Sequence, residues 1–172
     1  MKNIILVKQK YPIREWLIYF LFENSKNIYR VFAKRNYEPW TLTVNNLLAF
    51  EENTLGKDLG LFLNKHNFNL EPKFEKHDIH HLLTGYEPNV IGEVCVSVFN
   101  LANGKRKLYT SVAAFFGVLI MFEEYKTFIE AYKRGKNARS YAKWKFEHLL
   151  NENTQELKKY IFKKENNLEV MI

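Results

Sequence analysis

The sequence predicts an all-α protein, a helical bundle of about seven helices built around a central hairpin. Three observations point that way. Only 7 Gly and 4 Pro in 172 residues argue for long regular elements with few turns. An apolar fraction of 47% supplies a well-filled core, and apolar residues recur at helical spacing, as in Leu55, Leu59, Phe62 and Leu63. The stretch Phe74 to Phe99, FEKHDIHHLLTGYEPNVIGEVCVSVF, reads as two short helices joined by a tight turn.

Residues 1–10 suit either a short strand or a fraying arm. From Pro12 the run IREWLIYFLF opens a helix, with proline at the first turn, where its missing donor is tolerated. Trp16 to Phe22 are all apolar or aromatic, so this helix is apolar nearly all round. Core packing is the preferred reading. The alternative is a membrane interface, with Trp16, Tyr19, Lys8, Lys10 and Arg14 at headgroup level. A second helical piece, Ile28 to Lys34, should end before Pro39.

Residues 41–66 hold two helices with Thr41 and Thr54 as N-caps. Gly56 and Gly60 lie four apart inside the second, which is costly unless something packs closely there. That neighbour is either another helix or an apolar ligand lying in a groove. After the hairpin, Asn103-Gly104 breaks the chain. Leu108 to Arg134 then reads as one long helical region, whose apolar run from Val112 to Phe122 is too short to span a bilayer. Gly117 marks a bend or a close approach. Gly135 should end that element and Asn137 cap the next, in which Tyr141, Trp144, Phe146 and Leu149 form a buried stripe. Thr154 begins a last amphipathic helix through Phe162, and residues 163–172 are expected to be a flexible tail. With no linker, repeat or low-complexity tract, residues 1–172 are expected to form a single domain, of which 1–37 is the N-terminal helical segment.

In the hairpin, Gly85 sits where a helix C-terminus takes a left-handed residue, and Pro88 where the next helix can start. His77 and His81 are four apart, so both imidazoles leave one helix face, with Asp78 on its shoulder. Glu93 lies on the second helix, and antiparallel packing brings it level with His81. Two imidazoles with one or two carboxylates suit Zn²⁺ or another divalent transition metal. Partly exposed histidines among surface acids are the blander reading. His80 should face solvent, and neither His66 nor His148 has a partner visible in the sequence. The single cysteine, Cys95, excludes a disulfide framework and a cysteine-based metal site. It reads as a small buried residue rather than a nucleophile. Together with the lack of a secretory signal, this suggests a reducing compartment.

The net charge of +7 is unevenly spread. Residues 1–36 carry eight Lys or Arg against Glu15 and Glu23; residues 37–100 carry four against nine acids; residues 101–172 carry fourteen against eight. An acidic middle suits cation capture, and basic ends suit contact with an anionic surface. No nucleic-acid-binding motif is present, and nucleic acid is not an expected partner.

The motif is more specific than its parts. His77-Asp78-x-x-His81, eleven residues and then Glu93 resembles the HDxxH-x11-E hallmark of the ubiquinone (coenzyme Q) biosynthesis family called Coq-four. Leu82, Leu83, Gly85, Asn89, Gly92, Glu93, Val94, Val96 and Phe99 match its following segment. Ala113 to Gly117 (AAFFG) and Thr54-Leu55-Gly56 resemble two further pieces, so the likeness covers about residues 50–160. Ser97 and Val98 depart from the family's usual lysine–aromatic pair, and the segment before about Tyr37 has no counterpart, which suggests a divergent branch.

The resemblance implies His77, Asp78, His81 and Glu93 as ligands of a divalent metal, zinc first, with iron, manganese or magnesium as alternatives. It implies an apolar groove for a prenylated quinone precursor or other isoprenoid lipid, with Leu55, Gly56, Phe62 and Phe116 as candidate lining. The expected activity is oxidative decarboxylation at C1 of the head-group precursor. Expected partners are other quinone-biosynthesis proteins, the membrane surface and a second copy in a homodimer. For a bacterial chain the implied location is cytoplasmic, peripheral at the inner face of the membrane. A non-catalytic scaffold with a structural metal is the main alternative. A phosphohydrolase of the His-Asp type is weaker, because the chain holds only Asp58 and Asp78. An HExxH protease fails, since residue 78 is Asp.

Overall fold

The structure, a computed structural model, describes residues 11–32, 37–105 and 108–163. These residues form helices α1 (Pro12–Phe32), α2 (Val44–Leu48), α3 (Leu55–Lys65), α4 (Glu75–Thr84), α5 (Val90–Ala102), α6 (Leu108–Ile120), α7 (Tyr125–Asn137) and α8 (Thr154–Phe162). Two 3₁₀ turns, Phe122–Glu124 and Phe146–His148, complete the described set, and the all-α class holds.

Helix α5 is apolar on nearly every side and is correspondingly central, packing most extensively against α7 and α6. Val94, Cys95 and Val98 join Ile18, Ala114, Met121, Phe128 and Ala131 in one apolar cluster. Phe99, one position on, turns to the other cluster with Leu59, Leu63, Ile79, Leu83, Tyr141 and Ile161. The two cores therefore meet on α5. The starts of α3 and α8 are tied by backbone bonds, Leu55 N–H to the Glu152 carbonyl at 2.8 Å and Thr154 N–H to Asn53 at 3.0 Å.

Several element boundaries differ from expectation, each for a physical reason. Helix α1 continues through the polar residues 23–27 instead of stopping, because they include no Pro or Gly. Asn24 donates to the Phe20 carbonyl four residues back at 2.7 Å, so it joins the helix rather than breaking it. Residues 1–10, 33–36 and 164–172 lie outside the described residues, and with them the expected arm, the end of the second helical piece and nearly all of the tail. Among the described side chains of α1, Ile18 is buried, while Ile13, Trp16, Leu17, Phe20 and Leu21 are exposed. Core packing therefore describes only one face.

Thr43, not Thr41, caps α2, in a reciprocal box with Asn46, whereas Thr54 caps α3 as expected. Gly56 and Gly60 are both explained by protein packing. A Cβ at 56 would lie 2.7 Å from the Phe50 ring, and one at 60 would lie 2.8 Å from the Leu48 nitrogen. The long helix expected from Leu108 to Arg134 breaks at Met121, whose side chain is fully buried (φ −110°, ψ 41°). The break lets both α6 and α7 lie against α5.

Gly135 sits inside α7 rather than ending it, and Asn137 is that helix's last residue. Residues 138–150 then leave Ala138 in an extended conformation and form turns instead of the expected helix. Their burial pattern nevertheless holds, with Tyr141 and Phe146 buried and Trp144 and Leu149 packed against them. Asn103 fixes this corner: its amide donates to the carbonyls of Gly135, Ala138 and Arg139, and its side-chain oxygen accepts from Tyr141 N–H.

A Cβ on Gly135 would approach the Phe99 carbonyl oxygen to 2.4 Å, where backbone cannot give way cheaply. Gly135→Ala should therefore lower stability by about 1–3 kcal/mol, read as a fall in denaturant midpoint, despite alanine's better helix propensity.

Candidate metal centre

Helix α4 is fixed at its start by buried Glu75, whose carboxylate accepts from the backbone N–H of Trp40 at 3.0 Å and of Lys73 at 2.9 Å. It stops at Gly85, which takes the left-handed conformation (φ 77°) and donates to the His81 carbonyl at 2.8 Å. Helix α5 is capped by Asn89, whose side chain accepts from Gly92 N–H at 2.9 Å; Pro88 precedes the cap instead of opening the helix. A Cβ on Gly92 would lie 1.9 Å from the Glu87 carbonyl oxygen, so the turn and the first turn of α5 are in close contact. Glu93 follows directly.

This turn brings the two arms together. Glu93 Oε2 lies 2.9 Å from His77 Nε2, and Oε1 lies 3.4 Å from His81 Nε2. One ligand atom from each of His77, His81 and Glu93 falls within 4.8 Å of the other two. Asp78 stands elsewhere: its Oδ1 is 3.5 Å from His77 Nδ1, the nitrogen on the far side of the ring from Glu93. Of the four expected ligands, three converge and Asp78 backs one of them, as outer carboxylates do for metal-bound histidines.

The donor chemistry fits a cation. His81 Nδ1 is 2.9 Å from the Tyr86 carbonyl, so it must carry a proton, since two acceptors do not face each other at that distance. The opposite nitrogen, Nε2, is buried and looks toward Glu93 Oε1 at 3.4 Å. Burial pushes the Glu93 carboxyl up, but the charges of His77 and His81 and the hydrogen bonds from them outweigh it, holding it well below the usual carboxylate range. His81 Nε2 and the Glu93 carboxylate thus face one another at 3.4 Å, an arrangement that positive charge between them stabilises. That charge is either a second proton on the ring or a metal ion. Two histidines and one carboxylate are donors that zinc and iron both accept, at bonds of about 2.0–2.2 Å.

The centre is sealed on one side only. The His81 side chain is 0% exposed, whereas those of Glu93 and His77 are 24% and 34% exposed.

The remaining candidates are distributed around this centre. His80 is buried rather than solvent-facing: its Nε2 accepts from Lys105 Nζ at 2.7 Å and its ring packs on Tyr141 and Phe146. His66 lies between the rings of Phe62 and Phe68, and His148 is exposed. Cys95 is buried, and burial pushes its thiol up to about 12, which fits the packing role expected of it. Among the groove candidates, Leu55 is fully buried and Gly56 is filled by Phe50, so both belong to the core. Phe62 is half-buried and stacks beside His81 at 6.3 Å between centroids, and Phe116 is exposed on α6. The functional group missing from the sequence reading is the Tyr86 carbonyl. Backbone oxygens are identical in every residue and leave no mark in a motif.

A family model described as "Coenzyme Q (ubiquinone) biosynthesis protein Coq4" matches residues 72–165, over half the chain and including all four motif residues. Among solved structures, a crystal structure named "Putative ubiquinone biosynthesis protein" from Nostoc punctiforme PCC 73102 is similar over 86% of this chain and 80% of that one. The TM-score is 0.59 and the identity 18%, a likeness of fold. No curated protein matches the sequence.

The lowered native pKa of Glu93 gives the metal-free protein an acid dependence with a definite sign. An unfolded glutamate titrates near about 4.3, so the stability this carboxylate contributes is complete above that pH and is lost as pH falls through the lower native value. Glu93→Gln should flatten the fall of denaturant midpoint between about pH 5 and pH 3 relative to wild type.

Proposed function

The chain belongs to the coenzyme Q (ubiquinone) biosynthesis protein Coq4 family, and from that premise we propose that it binds a divalent cation through His77, His81 and Glu93 and uses it on a prenylated quinone precursor at a membrane surface. Membership carries the role in ubiquinone biosynthesis. The observation that supports the metal is the convergence of one donor atom each from His77, His81 and Glu93 within 4.8 Å, with His81 Nδ1 held by the Tyr86 carbonyl.

When bound, such a cation supplies Lewis acidity toward a substrate oxygen, and iron would add the redox capacity that dioxygen chemistry needs. The chain's own residues do the rest. Tyr86 keeps the His81 proton on Nδ1, and Asp78 orients His77 from behind. The partly exposed edge formed by His77 and Glu93 is the open approach for a head group, and Phe62 offers an aromatic wall beside His81. Three converging donors with one accessible side favour a working site over a closed structural one, which would need Asp78 as a fourth ligand. The net change proposed is loss of the C1 carboxyl as CO₂ with a hydroxyl entering at that carbon, a two-electron oxidation. Dioxygen supplies the oxygen atom, and its second oxygen leaves as water with two electrons and two protons from an added two-electron reductant.

The membrane part rests on surface chemistry. No helix among the described residues is long and apolar enough to cross a membrane. Ile13, Trp16 and Phe20 on α1, and Phe115, Phe116 and Leu119 on the adjoining α6, nevertheless form two exposed apolar stripes. Phe122 continues the second, and Arg14 reaches across from α1 to sit 5.5 Å from its ring while pairing with Glu123. Aromatic and aliphatic residues with a cation among them suit partial insertion at a headgroup boundary.

Purified protein should carry close to one transition-metal ion per chain by elemental analysis, falling at least about tenfold in both His81→Ala and Glu93→Ala. Metal content unchanged in both variants would overturn the assignment. The metal-loaded protein should convert a prenylated aromatic acid to the hydroxylated, decarboxylated product, detected by mass spectrometry, and neither variant should. For the membrane, the protein should co-float with phosphatidylcholine–phosphatidylglycerol vesicles, and Trp16→Ala with Phe115→Ala should cut binding by about tenfold. A doubled mass in sedimentation, reversed by the same pair, would assign the face to a second copy instead.

A further inference from the structure

The metal-binding competence of His81 depends on where Tyr86 holds its carbonyl. Tyr86 lies in the turn between α4 and α5, and its predecessor Gly85 is exposed, with no atom within 4 Å of where a Cβ would stand. The contact that reaches this turn from α7 is made by Arg134. Its guanidinium donates to the Thr84 carbonyl at 3.1 Å, one of the terminal carbonyls of α4 that has no partner within the helix. The same guanidinium lies 5.0 Å from the centroid of the Tyr86 ring and 5.3 Å from that of Phe162, so it is gripped between two aromatic rings. Beyond it, the Tyr86 ring meets Phe99 of α5 edge-on at 6.4 Å. Residues 84 and 86 are thus held on either side of the left-handed glycine by one planar cation. A lysine, with a point charge and no plane, cannot reproduce both contacts.

We propose that Arg134 is a positioning residue of the metal centre: by binding the Thr84 carbonyl and the Tyr86 ring, it fixes the Tyr86 carbonyl on His81 Nδ1 and so leaves Nε2 as the lone pair facing Glu93. Its purpose rests on the metal reading above, but its direct effect is on the tautomer of His81, which is measurable without any metal. Arg139 provides the natural comparison. It stacks on Tyr160 at 4.8 Å, a similar arginine–aromatic contact, with no link to Tyr86 in the contacts described.

The test is ¹⁵N NMR of the histidine rings in the metal-free, full-length protein at about pH 9. The His81 signals are assigned by their loss in His81→Ala. Wild type should show His81 protonated on Nδ1, and Arg134→Ala should show a mixture with a substantial Nε2–H population. Arg134→Lys should fall between the two, and Arg139→Ala should match wild type. Zinc affinity, by competition with a chelator, should drop at least about tenfold in Arg134→Ala and stay unchanged in Arg139→Ala. If Arg134→Ala does not fold, Arg134→Gln, which keeps a donor for Thr84 and loses the stack, is read the same way. An unchanged His81 tautomer in the Arg134 variants, or an equal change in Arg139→Ala, would overturn the proposal. A wild type that binds no zinc while the tautomer shifts as stated would sink the metal reading and leave the positioning role supported.

Discussion

The constraint on which this molecule turns is the opposition of the Glu93 carboxylate and the fully buried His81 ring across a site sealed on one side. A carboxylate and an imidazole nitrogen 3.4 Å apart are compatible only with positive charge on or between them. Proteins seldom leave such groups facing each other without a use for the cation they select. Here the arrangement follows from a single backbone acceptor: with the Tyr86 carbonyl on Nδ1, the ring has no freedom over which nitrogen it presents to Glu93. The donor geometry is therefore specified as much by a turn as by the side chains that compose it.

The rest of the fold serves that turn. Glu75 anchors the start of α4 from inside the core, and the central position of α5 keeps its first turn from shifting. The apolar clusters on the two sides of α5 make it a shared wall rather than a surface helix, so Glu93 projects from a rigid support. The exposed stripes of α1 and α6 belong to the periphery of the second cluster. The exposed apolar stripes and the converging His77, His81 and Glu93 thereby occupy different parts of one bundle.

Much of this was legible in the sequence, and what was not has identifiable causes. The helical hairpin, its left-handed Gly85 and the convergence of His77, His81 and Glu93 follow from spacing alone, because helix geometry converts residue number into direction. Helix ends were less legible. Met121 leaves the helix for the sake of tertiary packing, and the polar residues after Phe22 continue a helix because nothing in them forbids it. His80 was misread as solvent-facing because the rings that bury it, Tyr141 and Phe146, come from a loop some sixty residues on, whose docking no local pattern announces. Asp78 enters the expected ligand set through the resemblance to the family motif, not through spacing. Its carboxylate lies 3.5 Å from the outer nitrogen of His77, a choice of rotamer that sequence spacing does not encode.

The tight contact between the Glu87 carbonyl and Gly92 has a consequence for length. One arm of the site hangs from Tyr86 and the other from Glu93, and the few residues between them form a rigid gauge with no slack to absorb an insertion or deletion. Adding or removing one residue in the first turn of α5 would rotate the carboxylate by about 100° and slide it by about 1.5 Å relative to the imidazoles. The count of eleven between His81 and Glu93 is thus a dimension of the site, as fixed as any bond length within it.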